Sequence, residues 1–229
     1  MRVSVMQPYF IPYLGYWQMM SAADVFVVFD DVNYIKRGYV NRNSILLHGL
    51  PHLVTLQVNQ ASQNRKICEL SVGDNSNKIL ETMRHAYSKA PYYKGVMQMM
   101  HESLQGDRSS LSNFLENSIK VIALYMGIET RFLFSSSFSH DSSMKGSERI
   151  IDIAGRLGAN TYLNPIGGVG LYSKEEFSQN GIELSFLKME EVRYPQLGDR
   201  FVPNLSIIDV LMFNDVSTVK ELLGRYTLV

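Results

Sequence analysis

Everything downstream in this chain has to accommodate its first 43 residues. Two apolar runs of strand length, 3–6 and 25–29, flank a segment with helical spacing. Each run breaks abruptly into polar and aromatic residues: Gln7-Pro8-Tyr9-Phe10 and on to Trp17 after the first, Asp30-Asp31-Val32-Asn33-Tyr34 and on to Gly38 after the second. This is the pattern of a βαβ unit with its chemistry at the strand tips. In open α/β sheets ligands bind in the crevice outside the C-terminal ends of the strands, so Gln7, Tyr9, Asp30 and Asp31 are expected to converge on one pocket.

The second half alternates in the same sense: strand 131–135, helix 145–157 stopped by Gly158, strand 161–163, helix 173–179 stopped by Asn180-Gly181, strand 183–187. Strand, helix, strand, helix, strand implies a mainly parallel sheet with right-handed crossovers. Between the halves, strand-like runs 43–47 and 52–58 around His48-Gly49-Leu50-Pro51 predict a hairpin. Apolar stripes at helical spacing predict helices from Asn75 onward, ended by Ala90-Pro91, over 92–104, and over 111–126 with Gly127 as cap. Met97, Met99 and Met100 read as gap-filling core residues. Ser206 to Asp209 has the form of a capping-box variant that starts a helix through Phe213, and Ser217 opens a last one. The expectation is one α/β domain of 229 residues, a parallel-sheet sandwich with the hairpin and helices inserted at about 43–127.

Composition excludes several function classes. Lys plus Arg and Asp plus Glu number 22 each, so no overall field holds the chain on DNA or an anionic surface. A tRNA partner wants a broader basic surface than this balance provides. Cys68 alone allows no internal disulfide, and its neighbours read as a strand position. No apolar run approaches the roughly 18 residues of a membrane span. The first strand begins within two residues of the N-terminus, with no leader before it, so a cytoplasmic protein without membrane insertion is expected. Gly-x-Ser-x-Gly and His-Glu-x-x-His are absent, and His48, His52, His85, His101 and His140 are scattered, so no metal site is expected.

What remains for chemistry lies at the strand tips. Lys36, Arg37 and Arg42 are candidates to hold phosphate; the alternative is a solvated loop with surface ion pairs. Asn33 and Asn41 accompany them. Adjacent strand residues point to opposite sides, so one of Asp30 and Asp31 is expected to face the ligand, unless the strand has already ended. Such a carboxylate could take a proton from an attacking amine. Asn164 to Tyr172, with Gly167-Gly168, forms a second strand-tip loop where glycines let backbone N–H groups approach an anion; the alternative is a plain turn. Arg193-Tyr194-Pro195-Gln196 follows the last expected strand of the alternation as a third polar aromatic stretch.

The run QPYFIPYLGYWQMMSAADVFVVFDDVNYIKRGYVNRNSILL, with KAPYYKG, LGANTYLNPIGGVGLYSKEEFSQNGI and RYPQLGDRFVPNLSIIDVLMFN, resembles the WbqC-like family, bacterial proteins often encoded among genes for O-antigen synthesis. The resemblance implies a transferase of surface polysaccharide biosynthesis that attaches an aminoacyl group, glycine by family suggestion, to the amine of a nucleotide-linked amino sugar. The alternative is a non-catalytic sugar-nucleotide-binding or partner protein of the same pathway. Positions matching the family pattern include Gln7, Tyr9, Asp30, Asp31, Lys36, Arg37, Asn41, Arg42, Asn164, Gly168, Tyr172, Tyr194, Gln196 and Asp209. Asp30, Asp31 and Tyr9 are the catalytic candidates, and the other polar and glycine positions named above, with Tyr13 and Tyr16, are the substrate-binding ones. ATP and an aminoacyl-tRNA both stay open as the source of the activated amino acid. Tyr13-Leu14-Gly15-Tyr16 sits after strand one as the His-x-Gly-His motif does in nucleotidylyltransferases, with tyrosines in place of histidines, a looser likeness of fold that leaves ATP use in doubt.

Overall fold

The structure is a computed structural model and describes residues 1–139, 144–198 and 200–229; His140 lies outside them. Its centre is a six-stranded sheet. The chain enters it in the middle with β1 (Arg2–Met6), crosses over helix α1 (Leu14–Ala22) and lays down β2 (Val25–Val28) alongside, Val3 opposite Val25 and Met6 opposite Val28. After an antiparallel hairpin, β3 (Arg42–Leu47) with β4 (Leu50–Thr55), and a two-residue pair, β5 (Val58–Asn59) with β6 (Ser71–Val72), come three helices: α2 (Ser76–Tyr87), α3 (Tyr93–Ser103) and α4 (Leu111–Met126). The chain then returns as β7 (Arg131–Phe134), parallel to β2 at the sheet edge.

From there it crosses to the other side of β1. Helix α5 (Ser147–Arg156) leads to β8 (Thr161–Pro165), helix α6 (Lys174–Gln179) to β9 (Glu183–Met189), and α7 (Ile207–Phe213) and α8 (Val216–Leu223) to an antiparallel edge strand, β10 (Tyr226–Leu228). The order is β10-β9-β8-β1-β2-β7. The winding direction therefore reverses between β1 and β8, the place where a doubly wound sheet opens a crevice at its C-terminal edge. Tips of β8, β1 and β2, which carry Asn164, Gln7 and Asp30, leave neighbouring strands about 4.8 Å apart.

Alternation along the strands sorts the core into two layers. Val3, Val5, Val25 and Val27 pack with Ile150, Ile153 and Phe177 from α5 and α6. Phe26 and Val28 face the opposite layer with Trp17 and Met20. Helix α1 is buried along Leu14 to Met20, because it lies between the sheet and α8. Its one buried amide, Gln18, donates to the carbonyls of Leu222 (2.8 Å) and Arg225 (3.0 Å) at the end of α8.

Three local expectations change. The hairpin turn is two residues, His48 and Gly49, both at positive φ (53° and 74°), so Leu50 and Pro51 belong to β4. That left-handed pair matches the twist of the hairpin, and proline is tolerated on this exposed edge. Cys68 lies in a 3-10 turn, Ile67–Glu69, because its N–H is engaged by the Asp30 carbonyl (2.9 Å) rather than by a strand neighbour. The short strands β5, β6 and β10 carry no pattern of their own and form by pairing alone.

One buried polar cluster ties the second layer to the segment 190–206. Asp209 on α7 is fully buried and accepts hydrogen bonds from Tyr87 Oη (2.7 Å), Tyr194 Oη (2.9 Å) and Gln196 Nε2 (2.7 Å). Tyr87 Oη in turn accepts from the Leu46 N–H of β3 (3.0 Å). Burial raises the Asp209 pKa, and the three donors lower it only in part. A folded pKa above the unfolded value of about 3.9 means that the folded state holds more protons across that window, so stability falls as pH rises through it. Relative to Asp209→Asn, the wild-type protein should therefore lose stability as pH rises from about 4. Thermal melts of both proteins across pH check this; a difference that is flat, or that moves the other way, contradicts it.

Candidate functional site

Strand β2 ends at Val28, so the backbone beyond it no longer alternates. Asp30 and Asp31 are both buried, and both turn toward Ser135 at the tip of the neighbouring β7. The Ser135 hydroxyl sits 3.1 Å from Asp30 Oδ1 and against Asp31 Oδ1, and it accepts from the Asp30 N–H (3.1 Å). One hydroxyl has one proton, so it donates to one carboxylate at a time. Asp30 takes two further bonds, from the Ser136 N–H (3.0 Å) and the Ser136 hydroxyl (2.9 Å). Asp31 is held by an ion pair to Arg149 from α5, whose guanidinium stacks 5.0 Å from the Phe29 ring centre. The exception to strand alternation applies here: the two carboxylates share a hydroxyl because the strand has ended before them.

The cationic loop is built differently from expectation. Lys36 and Arg37 are exposed, and among the described residues neither makes an ion pair. The Arg42 guanidinium turns back onto the loop, donating from Nε to the Gly38 carbonyl (3.2 Å) and from Nη2 to the Arg37 carbonyl. Arg37 is in the left-handed region (φ 63°), and its carbonyl takes this donor. Arg42 is a staple of the loop. Asn41 is likewise engaged, accepting from Tyr34 Oη (2.8 Å) and donating to the Leu56 carbonyl (2.8 Å). Asn33 is exposed and bridges Lys66 through its backbone.

At the switch point itself, Gln7 is half-buried, and its side chain hydrogen-bonds to none of the described residues. Tyr9 packs between the rings of Tyr16 (5.4 Å) and Tyr39 (5.7 Å), and burial, then the neighbouring Tyr13 and Tyr39, push its hydroxyl pKa up. Tyr16 is a core residue whose hydroxyl donates to the Gln7 carbonyl (3.1 Å), so it is not placed to touch substrate. Asn164 is buried, 3.4 Å from the Tyr162 hydroxyl, and donates to the Pro165 carbonyl (3.2 Å). Gly168 lies directly over it: a Cβ there would stand 1.8 Å from Asn164 Nδ2. Gly167 has open space around it. Tyr172 packs against Tyr162 and Phe177. Gln196 is engaged at both ends of its amide, with Asp209, Tyr194 and the Val202 backbone. Tyr13 and Tyr194 line a cavity of about 680 Å³ under residues 189–205.

The WbqC-like protein family model matches residues 7–221. The chain belongs to that family. It is 25% identical over 218 residues, 93% of each chain, to "Uncharacterized protein Rv1507c" of Mycobacterium tuberculosis (strain ATCC 25618 / H37Rv). No solved structure matches.

Sequence reasoning missed Ser135, Ser136 and Arg149. The signal was present as a run of three serines directly after the third tip, at 135–137, and an arginine in the first turn of the helix that follows. Among the described residues no group of histidine, cysteine and carboxylate could hold a metal ion, and no helix is long and apolar enough to cross a membrane. Cys68 is no activated nucleophile, since burial, then Asp30 and Asp31, raise its pKa.

The Asp31 to Arg149 pair allows a direct test. Removing one partner of a buried pair leaves the other charge uncompensated, at a cost of about 3 to 5 kcal/mol. Asp31→Asn should lower the melting temperature on the order of 10 °C. The loss in Asp31→Asn with Arg149→Met should be smaller than the sum of the two single losses; strict additivity in circular dichroism melts would show that the pair is not coupled.

Proposed function

We propose that this protein is a transferase of surface polysaccharide biosynthesis, joining an aminoacyl group, glycine, to the amine of a nucleotide-linked amino sugar at the tips of β8, β1 and β2. Family membership supports the pathway. The reaction reading rests on one observation: a buried carboxylate, Asp30, two strands from β8, that reaches an exposed hydroxyl, Ser136, at the tip of the next strand, β7. Among the described residues Asp30 has no cation partner, whereas Asp31 has Arg149. Asp30 is the group suited to take a proton, and Asp31 the group suited to hold Ser135 in place.

In the step this supports, the amine nitrogen attacks the acyl carbonyl carbon. The bond from that carbon to the carrier oxygen breaks, and the carrier leaves with the electron pair. The proton on the amine passes to Ser136 Oγ, whose own proton goes to Asp30 Oδ2, and Asp30 releases it to the departing oxygen or to solvent. Gln7, with a side-chain amide not engaged by the described residues, is placed to bind the acceptor. The second reading, a non-catalytic binding or partner protein, draws on the burial of both carboxylates, 2% and 5% exposed.

The test is incubation with nucleotide-linked amino sugars and either glycine plus ATP or glycyl-tRNA, with mass spectrometry for the acylated sugar. The expected result is a mass gain of one glycyl residue, with turnover reduced about 10²- to 10⁴-fold in Asp30→Asn and KM changed little. Ser136→Ala should fall between the two. Acceptor binding with no product from either donor would establish the binding-protein reading instead.

A further inference from the structure

The cavity of about 680 Å³ under residues 189–205 has no part in the proton path above, yet its volume suits a small-molecule site, typically about 300 to 1,000 Å³. It lies where β9 ends at Met189 and α1 begins. Its floor is apolar, formed by the buried side chains of Leu14, Leu205 and Val210. Its walls are aromatic. Tyr194 stands edge-on to Phe201, with ring centres 5.3 Å apart at 88°, and its hydroxyl is fixed by Asp209, so the wall is set before anything binds. Tyr13 completes the lining, and its ring folds back over Gly15, where a Cβ would come within 2.6 Å of it.

The exposed rim carries two arginines and two glutamates. Glu191 is occupied by Arg193 at 3.1 Å, and Glu190 stands 3.8 Å from Arg225. Among the described residues Arg200 makes no ion pair, and its guanidinium stands at the rim of an aromatic, apolar cleft. A ligand that satisfies both parts is an anion attached to a flat ring: guanidinium groups suit phosphate oxygens, and aromatic side chains suit the face of a base.

We propose that this cavity seats a nucleoside diphosphate, with its base against Phe201 and Tyr13 and its phosphates at Arg200. This deepens the transferase reading, on which it rests for the idea that the acceptor is nucleotide-linked. It also moves the phosphate site away from Lys36, Arg37 and Arg42. From β9 to β7, whose tip Ser136 follows, is four strand spacings, about 19 Å. The tips of β8 and β1, bearing Asn164 and Gln7, lie between, so a sugar carried on the diphosphate has those tips on its way to Ser136.

Calorimetric titration of the full chain with UDP, CDP, GDP, ADP and dTDP tests this. At least one should bind with Kd below about 100 μM. Arg200→Ala should weaken that binding tenfold or more, as loss of a charge-assisted contact does. Phe201→Ala should weaken it several-fold, and Lys36→Ala should leave it within twofold. Absence of binding by every diphosphate, or a Kd that Arg200→Ala and Phe201→Ala leave unmoved, overturns the proposal. The two readings fail separately. Diphosphate binding that follows Arg200 without any acylated product sinks the transfer reaction and leaves the nucleotide site; acylation by Arg200→Ala with unchanged acceptor KM does the reverse.

Discussion

Two aspartates pressed into one buried corner set the terms for the rest of the strand-tip edge. Carboxylates leave water at a cost of several kcal/mol each unless partners are provided. Here the partners come from two separate elements: Ser135 and Ser136 from the turn after β7, and Arg149 from α5. The tip of β2 is thereby fastened to the strand beside it and to the helix that starts the return crossing. The Ser136 N–H and hydroxyl, the Ser135 hydroxyl and the Arg149 guanidinium thus hold both carboxylates in place before any ligand arrives.

A second buried carboxylate does comparable work at the other end of the edge. Asp209 gathers Tyr87 from α2, Tyr194 and Gln196 onto α7, and Ser206 donates to the Ile11 carbonyl (2.7 Å) just before α1. The segment between is thus pinned at both ends over the start of α1. The cavity beneath it is lined by Leu14 and Val210 on one side and by Tyr194 and Leu205 of the segment on the other. Its tyrosine wall and its anchor are the same residue, Tyr194, so the shape of the cleft depends on a hydrogen bond deep in the helical layer.

Much of this was legible in the amino-acid order. Apolar runs ending in polar aromatic stretches marked β1 and β2, and the regular alternation after residue 131 marked the parallel sheet, since both signals come from local periodicity. The shared corner of Asp30 and Asp31 was not legible, because it depends on β7 being the neighbour of β2, a matter of topology. Arg42 looked like a phosphate ligand because charge is visible in a sequence and the direction of a guanidinium is not; the carbonyl of a left-handed Arg37 takes it. Tyr16 looked like one more polar aromatic at the tip, yet the helix it belongs to is covered on both sides. Gly168 was read as room for a ligand and proves to be room for Asn164.

In the proposed function the tips of β8, β1 and β2 and the cleft under residues 189–205 act on one ligand. A crystal structure with a nucleotide-linked amino sugar tests it most directly. The expected result is the base against Phe201, the phosphates at Arg200 and the sugar extending along the strand tips toward Ser136 Oγ. A ligand lying on the Lys36 and Arg37 loop, with the cleft empty, would contradict it.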